Sequence, residues 1–485
     1  MFKYVKIIFV LLFVSCLFIN AGCFKKDINL RKQAESGNPQ AQFQLGLYYY
    51  LGKIDGKVDY EKAVYWFTKS AEQGNTNAQT NLGIMYENGQ GVKQDYAEAL
   101  KWYRKSAEQG YADAQCNLGN MYYNGKGVKQ DYAEALKWFE KSAEQGNVMG
   151  QYNLGNMYGN GKGVKQDYAE ALKWFKKSAE QGNVMGQYNL GIMYENGYGV
   201  TKDKSEAVKW YKKSAEQGNA NAQHSLGIMY ENGEGVKQDY AEALKWFEKS
   251  AEQGDAEAQL ELGNMYYNGE GVKQDYAEAL KWFEKSAEQG NVMGQYNLGI
   301  MYENSQGVKQ DYIEAVKWYR KSAEQGYSNA QTNLGIMYAN GYGVKQDYPE
   351  ALKWFEKSVK QGDSYAQNNL GNMYENAEGV KQDYTKAIEL YKKSAEQGNA
   401  IGQCNLGTMY ANGKGVKQDY AEAVKWYKKS AEQGLKEAQY NLGFVYENGY
   451  GVTKDKSEAV KWYRKSAEQG NEDAKKALEK LGEKL

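Results

Sequence analysis

The sequence contains very little of the chemistry from which catalytic and metal sites are usually built. Its 485 residues include one His and four Cys, which leaves almost no imidazole base, no His-rich metal site and no disulfide framework. Lys plus Arg (61) equals Asp plus Glu (61), so the chain lacks the basic character that binding to phosphate backbones requires. The composition therefore predicts a non-enzymatic protein with no cofactor, no metal and no nucleic-acid partner.

Proline is equally scarce, whereas three other residue types are abundant. The chain contains two Pro but 54 Gly, 44 Tyr and 11 Trp. So many aromatic residues exclude a disordered tail, and the excess of Gly and Tyr is unlike that of an ordinary globular domain.

The N-terminal residues have the pattern of an export signal. Lys3 and Lys6 precede an apolar run at 7–19, which is shorter than the roughly 20 residues that span a bilayer but suits a signal peptide. Small residues then lead to Cys23, an arrangement that resembles a bacterial lipobox, although Asn20 stands where that pattern has Leu. The sequence thus predicts a lipoprotein-type signal peptide at 1–22 and lipidation at Cys23.

Three alternatives remain open for this segment. A lipobox at Cys16 would leave a very short apolar run, an ordinary signal peptide would be cleaved near Ala21 or Gly22, and an uncleaved segment would act as an anchor. With lipidation at Cys23, residues 23–40 would form a linker and an N-terminal cap in an exported protein of the bacterial envelope, facing the periplasm or the cell surface.

The rest of the chain is one repeated motif. The first two units start 37 residues apart and all later units 36 residues apart, which is a period typical of stacked helical hairpins. Twelve full units and a truncated thirteenth start at Ala41, Ala78, Ala114, Gly150, Gly186, Ala222, Ala258, Gly294, Ala330, Ala366, Gly402, Ala438 and Ala474. We number the repeats 1 to 12 in this order and count positions from each starting residue.

All Trp residues share one column of the repeat. Only repeat 10 departs from it, with Leu390. The column contains Trp66, Trp102, Trp138, Trp174, Trp210, Trp246, Trp282, Trp318, Trp354, Trp426 and Trp462.

Repeat 6 illustrates the local prediction of helix, turn and helix. Apolar residues at i, i+4, i+7 and i+8 predict helix A at about 222–230, and the Gly-rich segment 232–235 ends it. Asp239 and Glu242 form a capping box that starts helix B, and Gly254 is expected to be its C-cap.

One such hairpin cannot bury two apolar faces, whereas stacked neighbours can. The expected fold class is all-α, namely a right-handed α-solenoid superhelix of about twelve αα-hairpins at 41–473, with a C-terminal cap helix at 474–485. We expect the Trp column to be the main wedge within or between hairpins. Gly227 and its column stand inside helix A at a cost of about 1 kcal/mol, which predicts a close approach of two helices under an aromatic ring.

The repeat resembles the Sel-one-like repeat, a relative of the tetratricopeptide repeat. The resemblance rests on the pattern A-Q-x-x-L-G-x-M-Y-x-N-G-x-G-V-x-x-D-x-x-x-A-x-x-W-x-x-K-S-A-x-Q-G and extends from Ala41 to about Ala474. It implies a superhelix of αα-hairpins that binds proteins, with helix A on the concave side. Ser305 and Ala377 replace turn glycines, and some exported members carry a disulfide in each repeat, which this chain lacks.

The few reactive side chains fit structural roles. His224 shares its column with Leu260, so we expect a surface residue without a catalytic partner. Cys116 and Cys404 lie eight repeats apart, too far for a disulfide, and should be free thiols.

A binding surface is indicated by the positions that vary. Most differences between repeats fall at positions 3, 7 and 10 and in the loops. The three positions lie on one face of helix A, and exposed Tyr, Ile and Asn there would form a peptide-binding groove. These positions are alternatively just unconstrained. The candidate groove residues are Thr80, Tyr152, Asn156, Tyr188, Ile192, His224, Ile228, Tyr296, Ile300 and Tyr440, with the loop residues Tyr198, Tyr342 and Tyr450 as further candidates.

The sequence thus predicts a membrane-anchored scaffold that binds protein or peptide segments. A secreted host-interaction effector or adhesin is the alternative, and an envelope hydrolase is a further one for which no unique cluster of residues is present.

Overall fold

The computed structural model describes residues 22–54 and 56–483, and all regular elements in these ranges are α-helices. The predicted signal peptide at 1–22 and the lipid site at Cys23 fall outside the residues whose side chains are described. In the described ranges, no helix has both the length and the apolar character that a membrane crossing needs.

The described residues up to Gln238 form one compact unit. Its helices are α1 (Gly22–Glu35), α2 (Pro39–Tyr50), α3 (Tyr60–Glu72), α4 (Thr76–Asn88), α5 (Tyr96–Glu108), α6 (Ala112–Asn124), α7 (Tyr132–Glu144), α8 (Val148–Asn160), α9 (Tyr168–Glu180), α10 (Val184–Asn196), α11 (Lys204–Glu216) and α12 (Ala220–Asn232).

Residues from Asp239 form a second compact unit. Its helices are α13 (Tyr240–Glu252), α14 (Ala256–Asn268), α15 (Tyr276–Glu288), α16 (Val292–Asn304), α17 (Tyr312–Glu324), α18 (Ser328–Asn340), α19 (Tyr348–Lys360), α20 (Ser364–Asn376), α21 (Tyr384–Glu396), α22 (Ala400–Asn412), α23 (Tyr420–Glu432), α24 (Lys436–Asn448), α25 (Lys456–Glu468) and α26 (Glu472–Lys480).

Within each unit the helices pack in chain order as hairpins of helix A and helix B. In repeat 6, helix A extends two residues beyond the predicted 222–230 at each end. Helix B begins as predicted, because the Asp239 carboxylate accepts hydrogen bonds from the amides of Ala241 and Glu242. The C-cap is Gln253, and Gly254 follows it with a φ of 91°, a left-handed conformation that glycine adopts without strain.

The glycine inside helix A confirms the predicted close approach. A Cβ atom on Gly83 would lie 2.6 Å from the ring of Tyr103 in helix B, a distance at which side chains clash. The equivalent glycines of most described repeats meet the same ring position, for example Gly155 with Phe175 at 2.8 Å. We refer to this column of Phe and Tyr residues at position 26 as the seam rings.

The Trp column fills the space between successive hairpins, as predicted. Trp102 belongs to an apolar cluster with Phe67 of the preceding helix B and with Leu82 and Met85 of its own helix A. Burial of such a side chain contributes about 1.5–3 kcal/mol.

Hydrogen bonds of polar side chains also join neighbouring helices. The Gln79 side chain donates to the carbonyl oxygen of Ala71 in the preceding helix B at 3.0 Å, and Gln109 donates to Gln79 at 2.8 Å. Ser106 donates to the carbonyl of Thr76 at 2.9 Å. The bond to Ala71 links successive hairpins, and the other two bonds link helices A and B of one hairpin.

Separate helices cover the two ends of the hairpin series. Helix α1 buries Ala34, whose carbonyl oxygen accepts a hydrogen bond from Gln42 at 3.0 Å. Helix α26 buries Ala474 and Leu478 and keeps Lys476 exposed, which is the one-sided pattern of an end cap.

Candidate protein-binding face

Position 3 of helix A lies inside the hairpin rather than on an open surface. Thr80 is 5% exposed, and its hydroxyl group lies 2.9 Å from that of Ser106 and donates to the carbonyl of Thr76. The expectation that Thr80 is exposed is therefore wrong, because position 3 faces helix B of its own hairpin.

The tyrosines at position 3 are half-buried for the same reason. Each ring packs against the seam ring of its own repeat, with centroid distances between 5.6 and 6.1 Å. The pairs are Tyr152 with Phe175, Tyr188 with Tyr211, Tyr296 with Tyr319, and Tyr440 with Tyr463. Burial raises the pKa of Tyr296 to about 12. These side chains belong mainly to the core, and His224 is likewise half-buried.

Position 7 keeps its access to solvent. Asn156, Ile192, Ile228 and Ile300 are all partly exposed, and Phe444 at the same position is 43% exposed. Apolar side chains that remain in contact with water can bury area against a partner. Position 7 is thus a part of the predicted groove that stays partly accessible, and Phe444 shows that its side chain can be mainly exposed.

Position 10 lies beside the outer edge of the seam ring, and its residue differs from repeat to repeat. In repeat 2, the Tyr103 hydroxyl donates to the Glu87 carboxylate at 2.9 Å. Burial and the neighbouring carboxylate hold the pKa of Tyr103 well above its usual range. Lys126 of the next repeat also pairs with Glu87 at 3.2 Å. The charge at this position is therefore neutralised within the protein.

Other repeats have the same pairing of tyrosine with glutamate. The further pairs are Tyr211 with Glu195, Tyr319 with Glu303, Tyr391 with Glu375, and Tyr463 with Glu447.

A tyrosine at position 10 covers the seam ring with its own side chain. In repeat 3, the Tyr123 ring lies 5.2 Å from Tyr132 and 6.5 Å from the seam ring Phe139. The Lys162 ammonium group of the next repeat donates to the Tyr123 hydroxyl at 2.9 Å. Tyr267 of repeat 7 makes the same two ring contacts, with Tyr276 and Phe283, and its hydroxyl donates to the Gln306 side chain of the next repeat at 3.1 Å. We call these repeats closed.

Gly159 leaves the equivalent place empty in repeat 4. A pocket of about 160 Å³ opens there to solvent, between repeat 4 and the first helix of repeat 5. The seam ring Phe175, Ala171 and Tyr168 line it from repeat 4. The residues that line it also include Asn156, Asn189, Ile192, Met193 and Tyr198. The structure thus brings together two of the predicted groove residues, Asn156 and Ile192, and we call this site the Gly159 pocket.

The loop tyrosines are held against helix B. Tyr198 stacks on Tyr168 with a centroid distance of 4.8 Å and an interplanar angle of 15°, and it remains 41% exposed. Tyr342 stacks on Tyr312, and Tyr450 on Tyr420, in the same way. A stacked ring has lost most of its rotational freedom, so contact with a partner costs it little further entropy.

Sequence reasoning missed the contributions of Tyr168 and Phe175. Tyr168 occurs in a nearly constant column and Phe175 in a column that always has Phe or Tyr, so neither residue by itself is a signal of a pocket. The usable signal is Gly159 itself, since it is the only glycine at position 10.

The cysteines confirm the prediction of free thiols. Cys116 and Cys404 are both buried and unpaired with each other. Burial raises the pKa of each thiol to about 12, which keeps the sulfur protonated and unreactive at neutral pH. Over the described residues, no group of three or more His, Cys, Asp or Glu side chains converges as a metal site would require.

Comparison with known proteins identifies the repeat. The profile of the Sel1 repeat family matches twelve consecutive segments, at 39–75, 76–111, 112–147, 148–183, 184–219, 220–255, 256–291, 292–327, 328–363, 364–399, 400–435 and 436–471. No curated protein sequence matches the chain.

Two solved structures are similar over most of their own length. A protective antigen present in uropathogenic Escherichia coli strains, which displays an SLR fold, is 40% identical to the chain, and the match covers 94% of this chain and 98% of that one with a TM-score of 0.82. A Sel1 repeat protein from Oxalobacter formigenes is 32% identical over 75% of this chain and 97% of its own, with a TM-score of 0.49.

The family profile and the Escherichia coli structure confirm the all-α solenoid class of αα-hairpin repeats. Proteins built from Sel1 repeats generally act as protein–protein interaction scaffolds and are typically not enzymes. With twelve matched segments and a 40% identical structural relative, the chain is a member of the Sel1 repeat family.

Proposed function

We propose that the protein is an exported, non-enzymatic scaffold that binds protein segments along positions 7 and 10 of helix A. The observation that carries this proposal is the contrast between nearly constant repeats and these two positions, which vary while most of their residues stay at least partly accessible. Binding through several adjacent repeats adds weak contacts along one bound segment, so no single repeat needs a high affinity.

Two features support export to the bacterial envelope. The N-terminal residues have the composition of a lipoprotein signal peptide, and the similar Escherichia coli protein is a protective antigen. An antigen has to be reached by the immune system, which favours a location outside the cytoplasm. We propose a lipid anchor at Cys23 in an envelope membrane, and the same two observations favour a secreted host-interaction effector or adhesin as the second candidate.

The binding face is tested with charged substitutions at position 7. Ile192→Asp and Ile300→Asp each place a carboxylate on the proposed face, where it loses hydration if a partner covers it. Ile313→Asp is the matched control, because Ile313 lies on helix B and is 68% exposed.

We expect the first two variants to capture less of the native envelope partners than the wild type, while the control captures the same amount. Capture is measured by quantitative mass spectrometry with the mature chain as bait, and circular dichroism checks the fold of each variant. Equal capture by all variants would reject position 7 as part of the binding face.

The anchor is tested by palmitate labelling in a bacterial host. Cys23→Ala should abolish labelling and release the protein from the membrane fraction, whereas Cys16→Ala should leave both unchanged. Persistent labelling of Cys23→Ala would remove the anchor from the proposal and favour the freely secreted form.

A further inference from the structure

The Gly159 pocket is bounded by side chains that the fold already holds in place. Its floor contains Phe175. This ring packs directly against Gly155 of helix A, where a Cβ atom would lie only 2.8 Å from it, so the helix backbone holds the ring in place. Tyr198 forms one wall and is itself stacked on Tyr168. The pocket therefore needs little rearrangement to accept a ligand, which lowers the entropic cost of binding.

The closed repeats indicate which group fits this place. In repeats 3 and 7 the equivalent space beside the seam ring is occupied by a tyrosine ring from position 10. In repeat 3 this ring meets Tyr132 nearly edge-on, with an interplanar angle of 65°. Tyr132 and Phe139 correspond to Tyr168 and Phe175 of the Gly159 pocket. The same two kinds of aromatic ring are therefore available in repeat 4 to contact a bound ring.

The size and charge of the pocket agree with an aromatic occupant. Its volume of about 160 Å³ is close to that of an apolar cavity of about 150 Å³ that holds a benzene molecule. All of the described residues that line it are uncharged. A charged side chain would lose hydration there without gaining a counter-ion, whereas an aromatic ring gains apolar contact and edge-to-face packing.

A small substitution on Gly159 is tolerated sterically, so the glycine is not required by the packing of the helices. A Cβ atom there would lie 3.7 Å from the Cβ of Ala171 and 4.0 Å from the Phe175 ring, both ordinary contact distances. Glycine within a helix costs about 1 kcal/mol relative to alanine. What distinguishes Gly159 from other residues at position 10 is thus the space that it leaves.

We propose that the Gly159 pocket receives a tyrosine or phenylalanine side chain of the bound partner and is the anchor point of the scaffold. The ring takes the place that the chain's own Tyr123 takes in repeat 3. This inference rests on the proposed function and adds to it the chemistry of the recognised segment, namely an aromatic residue in an uncharged surrounding.

The pocket is tested directly with para-cresol, the side-chain analogue of tyrosine. The full chain carries isotope-labelled methionine methyl groups, and the resonance of Met193, which lines the pocket, is assigned with Met193→Leu. We expect a saturable shift of this resonance in the wild type. Gly159→Tyr, which fills the space as in repeat 3, should weaken binding about tenfold or more, and Gly159→Ala should retain most of it. No saturable shift, or the same shift in Gly159→Tyr, would overturn the proposal.

The role in partner binding is tested with a displayed library of random peptides. Peptides selected on the wild-type chain should be enriched in Tyr or Phe, and they should bind Gly159→Tyr about tenfold or more weakly. Selected peptides that bind both chains equally would overturn the pocket and leave the proposed function standing. If no peptide binds either chain, the proposed function fails and this inference fails with it.

Discussion

Repeats 3 and 4 are almost the same sequence, yet one surrounds its seam ring completely and the other leaves it open. They differ at four of their 36 positions, which are Ala114 and Gly150, Cys116 and Tyr152, Tyr123 and Gly159, and Glu140 and Lys176. In repeat 3 the tyrosine that touches the seam ring comes from position 10. In repeat 4 it comes from position 3, as Tyr152 lies 6.1 Å from Phe175.

The difference shows how a solenoid acquires a site without changing its scaffold. A tyrosine at either position gives the seam ring an aromatic neighbour. Only a tyrosine at position 10 covers its outer edge. Moving the aromatic residue to position 3 and placing Gly159 at position 10 therefore keeps the core packed and opens a surface pocket.

The largest expected difference between these two repeats and their neighbours is in how their stability changes at alkaline pH. Repeats 2 and 5 have the buried seam rings Tyr103 and Tyr211, whose pKa values are raised by burial and by Glu87 and Glu195, whereas repeats 3 and 4 have phenylalanine. Above about pH 10 the unfolded tyrosines lose their protons while the folded ones keep them, so stability falls as the pH rises.

The fall in melting temperature above about pH 10 should be smaller in the double variant Tyr103→Phe and Tyr211→Phe than in the wild type. Thermal unfolding followed by circular dichroism measures it. A melting temperature that does not change with alkaline pH in the wild type would show that these tyrosines ionise in the folded state.

The second prediction compares the two phenylalanine seam rings. Phe139→Ala should destabilise its repeat by about 3–5 kcal/mol, and Phe175→Ala should cost less, because Phe175 is 6% exposed at the open pocket whereas Phe139 is 1% exposed. Amide hydrogen exchange in helices α7 and α9 measures the two losses locally. The reverse order would contradict the distinction between closed and open repeats.

The third prediction opens the closed repeat. Tyr123→Gly should cost about 2–3 kcal/mol, from the lost ring contacts and the lower helix propensity of glycine, and it should create a further site for para-cresol beside Phe139. The expected result is one more saturable site in this variant than in the wild type. The same number of sites in both would show that the missing ring alone does not make a pocket.

The smallest effect is expected from a single methyl group in the open repeat. Gly159→Ala should stabilise the protein by up to about 1 kcal/mol, because the new Cβ makes only ordinary contacts. Gly155→Ala, one helical turn away, should destabilise it, since its Cβ would lie 2.8 Å from Phe175. The melting temperatures of the two variants should therefore move in opposite directions.

Most of the fold could be predicted from the sequence because each repeat contains the same residues for capping, core packing and close helix approach. The Asp239 cap, the Trp102 wedge and the close approach at Gly83 all depend on neighbours within one hairpin or the next, so local periodicity is enough to predict them. The exact helix ends, such as Gln253 in place of Gly254, depend on single hydrogen bonds that periodicity does not resolve.

The site was less predictable because spacing on a helix does not say how the helix is rotated in its hairpin. Positions 3, 7 and 10 share one face of helix A, yet Thr80 at position 3 is buried against Ser106 while Ile192 at position 7 reaches the surface. The pairing of Glu87 with Tyr103 was visible in the sequence, because glutamate at position 10 usually accompanies tyrosine at position 26. That correlation indicates a contact between the two positions, but the empty space at Gly159 becomes evident only once Phe175 is in place.

The central claim is that the residue at position 10 decides whether a repeat fills its own aromatic pocket or offers it to a partner. Crystals of the wild type and of Tyr123→Gly soaked with 4-bromophenol test this most directly, since the anomalous signal of bromine locates each bound ring. The account predicts bromine beside Phe175 in the wild type and beside both Phe175 and Phe139 in the variant. Bromine absent from Phe175, or present beside Phe139 while Tyr123 is in place, would contradict it.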